Sequence, residues 1–281
     1  MIIWLASYPK SGNTWVRSFL ASILYSNGEN ININDLNKLG GQYPLRSQFK
    51  NFVKDFNNID EIKNEWINTQ NFINLDNKTK FFKTHHVNCK IGSSSFTDLN
   101  NTLGVIYIVR DPRNMIASIA NHYQHSIKES VDFLLDERKL LFVTNSNNPN
   151  YESEKNVVTL LGSWKDHYNS WKSLKKNLLI IKYEELISNS VKEFEKIRKY
   201  LEEKLNLKFG DSKFYRAIET NSFENLKKYE EKHGFKESIK DKNAGLNKKF
   251  FNLGPKNDWK NFLDKKIKLE LEENFKKKWK N

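Results

Sequence analysis

Cysteine is almost absent from this chain of 281 residues, since Cys89 is the only one. A single cysteine excludes an intramolecular disulfide and a cysteine-based zinc site, and it suits a reducing compartment. No apolar run approaches the eighteen or so residues that cross a bilayer. The apolar start at residues 1–6 is too short for a signal-peptide core and has no basic residue before it. These absences predict a cytoplasmic protein without a transmembrane segment.

Acidic residues are outnumbered by basic ones, 34 against 47, and the formal net charge is +13. A charge of that sign attracts an anionic partner, which the charge alone leaves open as a nucleotide, a nucleic acid or a lipid surface. Hydrophobic residues make up 38% of the chain and charged residues 29%, which excludes disorder and a coiled coil for the whole chain. The length fits one large α/β domain.

Short apolar runs alternate with helical patterns along the chain. Residues 2–7 form a continuous apolar run, which is typical of a strand buried on both faces. Further strands are predicted at 104–109 and 178–181, and a fourth around Phe81-Phe82. This alternation predicts an α/β fold, in which helices flank a central parallel β-sheet within a single domain over residues 1–281.

Two polar, helix-leaning stretches, at about 35–80 and 128–155, interrupt the alternation. We expect them to be insertions that shape an acceptor site, and we expect residues 265–281 to form a basic amphipathic helix with a solvated face.

Residues 8–15, Tyr-Pro-Lys-Ser-Gly-Asn-Thr-Trp, connect the first strand to a helix. Such a turn presents backbone N–H groups and the positive end of the helix dipole, which together favour a phosphate. Gly12 allows close approach, Lys10 supplies charge, and Ser11 and Thr14 supply hydroxyls, while Asn13 or Thr14 is the expected N-cap. An ordinary turn with a solvated lysine is the alternative. The loop is not a Walker A motif, because its lysine precedes its only glycine.

The order of residues in this loop resembles the phosphosulfate-binding loop of the cytosolic-type sulfotransferases. These enzymes transfer a sulfuryl group from 3′-phosphoadenosine 5′-phosphosulfate (PAPS) to a hydroxyl or amine. The resemblance implies a P-loop-like nucleotide-binding fold, PAPS as co-substrate, adenosine 3′,5′-bisphosphate as product, and no metal. It places cofactor contacts at Lys10, Ser11, Gly12, Asn13, Thr14 and Trp15.

The segment from Tyr107 to Asn114, with Ser118 further along, looks like the family's 3′-phosphate motif. Arg110 leaves a predicted strand end and Ser118 lies two helical turns further on, so both can reach one phosphate. Lys83-Thr84-His85 matches the family motif whose histidine is the general base, and a neutral imidazole can accept the proton of an alcohol. The adjacent His86 leaves a choice between two rings, and the motif register favours His85. The predicted catalytic residues are therefore His85, Lys10 and Lys83.

Four later segments extend the resemblance from Tyr8 to Lys260. Tyr183 matches a tyrosine that borders the adenine. Residues 221–223 resemble a Thr-Ser-Phe cofactor segment, with Asn221 in place of the threonine before Ser222 and Phe223. Residues 162–167 resemble a helix signature in which Trp164 is expected to pack. Near the C-terminus, Gly254 fits a phosphate loop, but Asn252-Leu253 replaces the family's Arg-Lys pair. This replacement predicts weaker binding of the nucleotide, by about 1.5–3 kcal/mol for each charged hydrogen bond to phosphate that is missing, unless Lys248, Lys249 or Lys256 takes the place of the pair.

The combined motifs predict a PAPS-dependent sulfotransferase that acts by direct in-line transfer on a small-molecule or glycan acceptor. One alternative is a P-loop-type phosphotransferase, which the lysine position disfavours. The other is a basic nucleic-acid-binding protein, but no recognised nucleic-acid motif is present, so we expect no nucleic-acid partner. The sequence leaves the acceptor and the oligomeric state open.

Overall fold

The computed structural model describes residues 1–26, 33–141, 157–241 and 245–275. Eight strands and twelve α-helices lie in these residues. The strands are β1 Ile2–Ser7, β2 Lys80–Thr84, β3 Lys90–Ile91, β4 Ser94–Ser95, β5 Thr102–Val109, β6 Leu140–Leu141, β7 Thr159–Leu160 and β8 Leu178–Lys182. The helices are α1 Asn13–Tyr25, α2 Arg46–Phe49, α3 Ile59–Asn64, α4 Trp66–Asn74, α5 Pro112–Tyr123, α6 Ile127–Leu135, α7 Trp164–Trp171, α8 Tyr183–Ser188, α9 Ser190–Leu205, α10 Asp211–Thr220, α11 Phe223–His233 and α12 Lys265–Phe275.

A four-stranded parallel sheet has the order β2-β1-β5-β8. β1 and β2 pair from Ile2 opposite Lys80 to Ala6 opposite Thr84. Every residue of β1 is buried, as expected for a strand covered on both faces. The sheet and its flanking helices confirm the predicted fold class, and β1 has the predicted bounds.

The first of two compact units comprises Met1–Tyr8, Leu39–Tyr107 and Asp136–Ile180. Its core is aromatic and centres on Trp4, whose ring lies 5.3 Å from that of Tyr43 and 5.6 Å from that of Phe96. The Trp4 indole donates to Thr102 Oγ1 at 3.0 Å, so the one polar atom of this buried ring is satisfied.

Helices α2, α3 and α4 lie in the first predicted insertion. Phe49 and Trp66 are buried in it, whereas Phe72 is 54% exposed. Residues 142–155 of the second predicted insertion lie outside the described residues, and its described part holds most of α6 and all of β6.

The second unit comprises Pro9–Lys38, Ile108–Leu135 and Ile181–Asn281. Helix α1 is its centre, because Phe19 stacks on Phe194 of α9 at 4.1 Å and contacts Phe214 of α10 edge-on. The buried Arg17 of α1 forms an ion pair with Glu237 at 2.6 Å.

Helix α12 occupies the first part of the predicted C-terminal helix, and residues 276–281 lie outside the described residues. Among the residues that the structure describes, no helix is both long enough and apolar enough to cross a membrane.

Candidate active site

The 8–15 loop changes direction through two left-handed residues. Lys10 has φ 67° and Gly12 has φ 96°. A Cβ on Gly12 would lie 2.5 Å from the ring of Tyr183, so glycine is required both by the backbone conformation and by this ring. Gly12 is itself the N-cap of α1 and provides no side-chain cap. The expectation that Asn13 or Thr14 caps the helix was therefore wrong, because the left-handed turn makes both of them the first helical residues.

The hydroxyls predicted in this loop point to different partners. Ser11 is fully buried and its Oγ donates to Met115 Sδ at 3.8 Å, while Thr14 Oγ1 donates to Glu237 at 3.4 Å. Trp15 is buried, and its indole donates to the Asn221 carbonyl at 2.7 Å. Two predicted cofactor segments, the loop and residues 221–223, are thus joined by a direct hydrogen bond.

Arg110 joins the loop to the second phosphate motif. Its Nη1 donates to the Lys10 carbonyl at 3.0 Å, and its guanidinium lies 4.2 Å from the centre of the Tyr183 ring. Its Nε is buried without a hydrogen-bond partner, and within the described residues no carboxylate forms an ion pair with it. A buried cation with an unsatisfied donor fits an anion such as a phosphate.

Two acidic residues near Arg110, Asp111 and Glu184, form their hydrogen bonds with other groups, although the Glu184 carboxyl also interacts electrostatically with Arg110. Asp111 caps α5 and instead pairs with Arg113, whose Nε donates to Asp111 Oδ1 at 2.9 Å. Glu184 accepts the backbone N–H of Asp111 at 2.9 Å, and burial raises the pKa of its carboxyl. Ser118 is half-buried in α5.

The C-terminal loop is anchored to the start of α5. Asn257 Nδ2 donates to the Asn114 carbonyl at 2.7 Å, and the Trp259 backbone N–H donates to Asn114 Oδ1 at 3.0 Å. Gly254 has φ 53°, and a Cβ there would lie 2.1 Å from the ring of Phe223. The structure therefore brings Gly254 and the 221–223 segment together, although they are far apart in sequence.

Sequence reasoning missed Phe250 and Glu230. The Lys10 ammonium lies 3.7 Å from the centre of the Phe250 ring, a cation–π contact. The buried carboxylate of Glu230 accepts the backbone N–H groups of Phe250 and Phe251 at 2.6 and 2.8 Å. No local motif could reveal these contacts, because Glu230 and Phe250 are 20 residues apart.

The two adjacent histidines of the first unit have opposite environments. His86 is fully buried and stacks on Phe96 with ring centres 4.1 Å apart and planes 5° apart. Burial lowers the pKa of His86 to about 3, so its ring is neutral at physiological pH. His86 is therefore a core residue.

His85 follows the end of β2 and is half-buried. Its Nδ1 lies 2.7 Å from the Ser7 carbonyl oxygen at the end of β1. A carbonyl only accepts hydrogen bonds, so Nδ1 carries the proton and Nε2 of the neutral ring carries the lone pair. In this tautomer Nε2 is the basic nitrogen of the ring. Lys83 lies two residues earlier, with its backbone bonded to Gly41 and Tyr43.

Across the described ranges, no group of three or more histidine, cysteine, aspartate or glutamate side chains could hold a metal ion.

The parallel sheet and the glycine turn before α1 define an α/β protein with a P-loop-like fold. A family model described as "Sulfotransferase domain" matches residues 2–281, so the chain belongs to the sulfotransferase-domain family. This confirms the resemblance drawn from the motifs.

Two curated relatives are similar over most of the chain. A luciferin sulfotransferase of Photinus pyralis is 27% identical over 236 residues, which cover 80% of this chain but 56% of the relative. A 3-beta-hydroxysteroid sulfotransferase of Cavia porcellus is 26% identical, over 77% of this chain and 67% of the relative.

Solved structures share the fold. A mouse sulfotransferase complexed with PAP superposes with a TM-score of 0.60 at 22% identity, covering 100% of this chain and 85% of the mouse chain. A retinol dehydratase in complex with androsterone and inactive cofactor PAP gives 0.58 at 17% identity, covering 98% and 80%.

Proposed function

We propose that the protein transfers a sulfuryl group from PAPS to a hydroxyl or amine of a small-molecule acceptor, by in-line displacement with His85 as general base. Family membership supports this proposal over the phosphotransferase and the nucleic-acid-binding protein. The relatives named for luciferin and for 3-beta-hydroxysteroids favour a small molecule over a glycan as acceptor.

The observation that carries the proposal is the position of Arg110. Arg110 is a buried cation whose Nη1 donates to the Lys10 carbonyl and whose Nε has no hydrogen-bond partner. Its guanidinium lies over the Tyr183 ring, which packs against Gly12. These contacts fit a ligand with two separate phosphates, one at the 8–15 loop and one at Arg110. Ser118 on α5 is the second proposed contact to the 3′-phosphate, and Tyr183 the proposed border of the adenine.

PAPS supplies the sulfuryl group and an anionic leaving phosphate. His85 Nε2 removes the proton of the acceptor as its oxygen or nitrogen bonds to sulfur, and the bond from sulfur to the phosphate oxygen breaks with its electron pair. Lys10 and Lys83 stabilise the negative charge that develops on the sulfuryl and phosphate oxygens. For this step Lys10 leaves the ring of Phe250, which is a cation–π contact of about 0.5–2 kcal/mol.

The two adjacent histidines provide the experiment and its matched control. We expect His85→Asn to lower single-turnover transfer from PAPS by about 10²–10⁴-fold, the scale of general-base catalysis, without weakening the binding of adenosine 3′,5′-bisphosphate. His86→Asn should retain turnover. Transfer by His85→Asn at the wild-type rate would refute the base. Binding of ATP or duplex DNA in preference to the bisphosphate would refute the donor.

A further inference from the structure

His167 of α7 lies in a buried chain of hydrogen bonds that ends on the backbone of His85. Its Nδ1 lies 2.8 Å from the Tyr107 hydroxyl, and its Nε2 lies 3.2 Å from the His85 carbonyl oxygen. Tyr107 is 1% exposed and His167 is fully buried, so water does not compete for these contacts. All three residues belong to the first unit.

The direction of each hydrogen bond in this chain is fixed. Burial lowers the pKa of His167 to about 3, so the ring is neutral and carries one proton. The His85 carbonyl can only accept, which places that proton on Nε2 and leaves Nδ1 as the acceptor for the Tyr107 hydroxyl. Burial raises the pKa of Tyr107 well above its ordinary value, so the phenol keeps the proton that it donates.

The chain of hydrogen bonds begins at Tyr8, directly after the end of β1. A backbone hydrogen bond from Tyr8 acts on the Tyr107 hydroxyl oxygen and partly opposes the rise of its pKa. The donors therefore run in one sense from Tyr8 through Tyr107 and His167 to His85. β1 also holds the His85 ring, through the Ser7 carbonyl at 2.7 Å. The ring and the carbonyl of His85 are thus both linked to the same strand end.

Helix α7 fixes the next peptide as well. The Trp171 indole, one helical turn after His167, donates to the His86 carbonyl at 3.1 Å. The peptide groups on both sides of His86 are held by α7, while the His85 ring is held by β1. A displacement of this backbone would rotate the imidazole away from Ser7, and a misplacement of about 1 Å can cost 10²-fold in rate.

We propose that His167, oriented by Tyr107, is a positioning residue that holds His85 in the tautomer and direction needed to accept the proton of the acceptor. This proposal rests on the role of His85 given above. His167 does not itself exchange a proton in the reaction, because both of its nitrogens are engaged inside the core.

Three variants test this chain of hydrogen bonds. His167→Leu fills a similar volume without a donor, His167→Gln restores an N–H donor near the position of Nε2, and Tyr107→Phe removes one hydroxyl. We expect His167→Leu to lower kcat by about tenfold to 10²-fold with an unchanged KM for the acceptor. His167→Gln should recover most of this loss, and Tyr107→Phe should show a smaller loss in the same direction.

Imidazole ¹⁵N NMR of the nucleotide-free protein gives a readout that needs no acceptor. The His85 signals, assigned by their absence in His85→Asn, should show the Nδ1–H tautomer in wild type and in His167→Gln. In His167→Leu they should shift toward a mixture of tautomers. If His167→Leu does not fold, Tyr107→Phe carries the same comparison.

The outcomes separate this inference from the proposed function. A wild-type His85 tautomer and turnover in His167→Leu, together with an inactive His85→Asn, would overturn the role of His167 alone. Loss of stability with unchanged kcat would also overturn it, since that is the result for a core residue without a positioning role. An active His85→Asn would overturn the proposed function, whatever the behaviour of His167.

Discussion

Burial of a neutral His86 makes the stability of the protein depend on pH. Burial lowers the pKa of His86 from 6.5 to about 3 in the folded protein. Between these two values the unfolded chain binds a proton that the folded chain does not. The free energy of unfolding must therefore fall as the pH falls through 6.5, and it continues to fall down to about pH 3.

The magnitude follows from the pKa difference. At pH 5.5 the ring of the unfolded chain is protonated about ten to one, while the folded ring stays neutral, which corresponds to about 1.4 kcal/mol. At pH 7.5 this contribution is close to zero. His167 has the same shift in pKa, so the two rings together lower the free energy of unfolding by about 3 kcal/mol between pH 7.5 and 5.5.

Urea unfolding of wild type and His86→Asn at pH 7.5 and 5.5 measures this contribution. The variant lacks the ring that packs on Phe96 and Trp66, so it should be less stable at both pH values. Its decrease in stability between the two pH values should nevertheless be smaller than that of wild type by about 1.4 kcal/mol. His233→Asn, which alters an exposed histidine, is the control and should keep the wild-type decrease. Equal decreases in wild type and His86→Asn would show that His86 is not held neutral in the core.

Three further substitutions test the nucleotide site. Arg110→Ala should lower the affinity for adenosine 3′,5′-bisphosphate by about 10–150-fold, because it removes a charged interaction of about 1.5–3 kcal/mol. The affinity for AMP, measured by the same calorimetry, should barely change. Equal effects on both ligands would contradict the 3′-phosphate assignment. Lys10→Ala should reduce transfer strongly and lower Tm by no more than the few degrees that correspond to its cation–π contact with Phe250. An active variant would remove Lys10 from the mechanism. Gly12→Ala should lose more stability and more bisphosphate binding than Gly41→Ala, because both glycines have positive φ but only a Cβ at Gly12 meets the Tyr183 ring. Equal losses of Tm would show that the ring moves aside.

Elements with a clear apolar pattern were predicted from the sequence, and elements without one were missed. The first strand was predicted with its observed bounds because residues 2–7 form a continuous apolar run, and all six of them are buried. β5 begins at Thr102, before the predicted Gly104, since its polar first residue is buried through a hydrogen bond to Trp4. The two-residue strands β3 and β4 were not predicted, because two residues carry no period.

The choice between two histidines shows that a sequence motif does not by itself determine the geometry of a site. The motif register favoured His85, but adjacent residues of one type carry no signal about which ring enters the core. That choice depends on partners distant in sequence, namely Ser7 for one ring and Phe96 for the other. It also depends on the turn after β2, where Thr84 Oγ1 accepts the backbone N–H of His86 at 3.1 Å.

The C-terminal loop lacks the Arg-Lys pair of the family motif at residues 252–253, yet its anchoring needs no charge. Asn257 and the backbone of the loop bond to Asn114 through neutral donors and acceptors, each worth about 1 kcal/mol. Such contacts position the loop but do not replace the attraction of two cations for a phosphate. In the proposed site, recognition of the 3′-phosphate therefore depends mainly on Arg110, and the loss of Arg110 should cost more than the loss of a neutral donor such as Ser118.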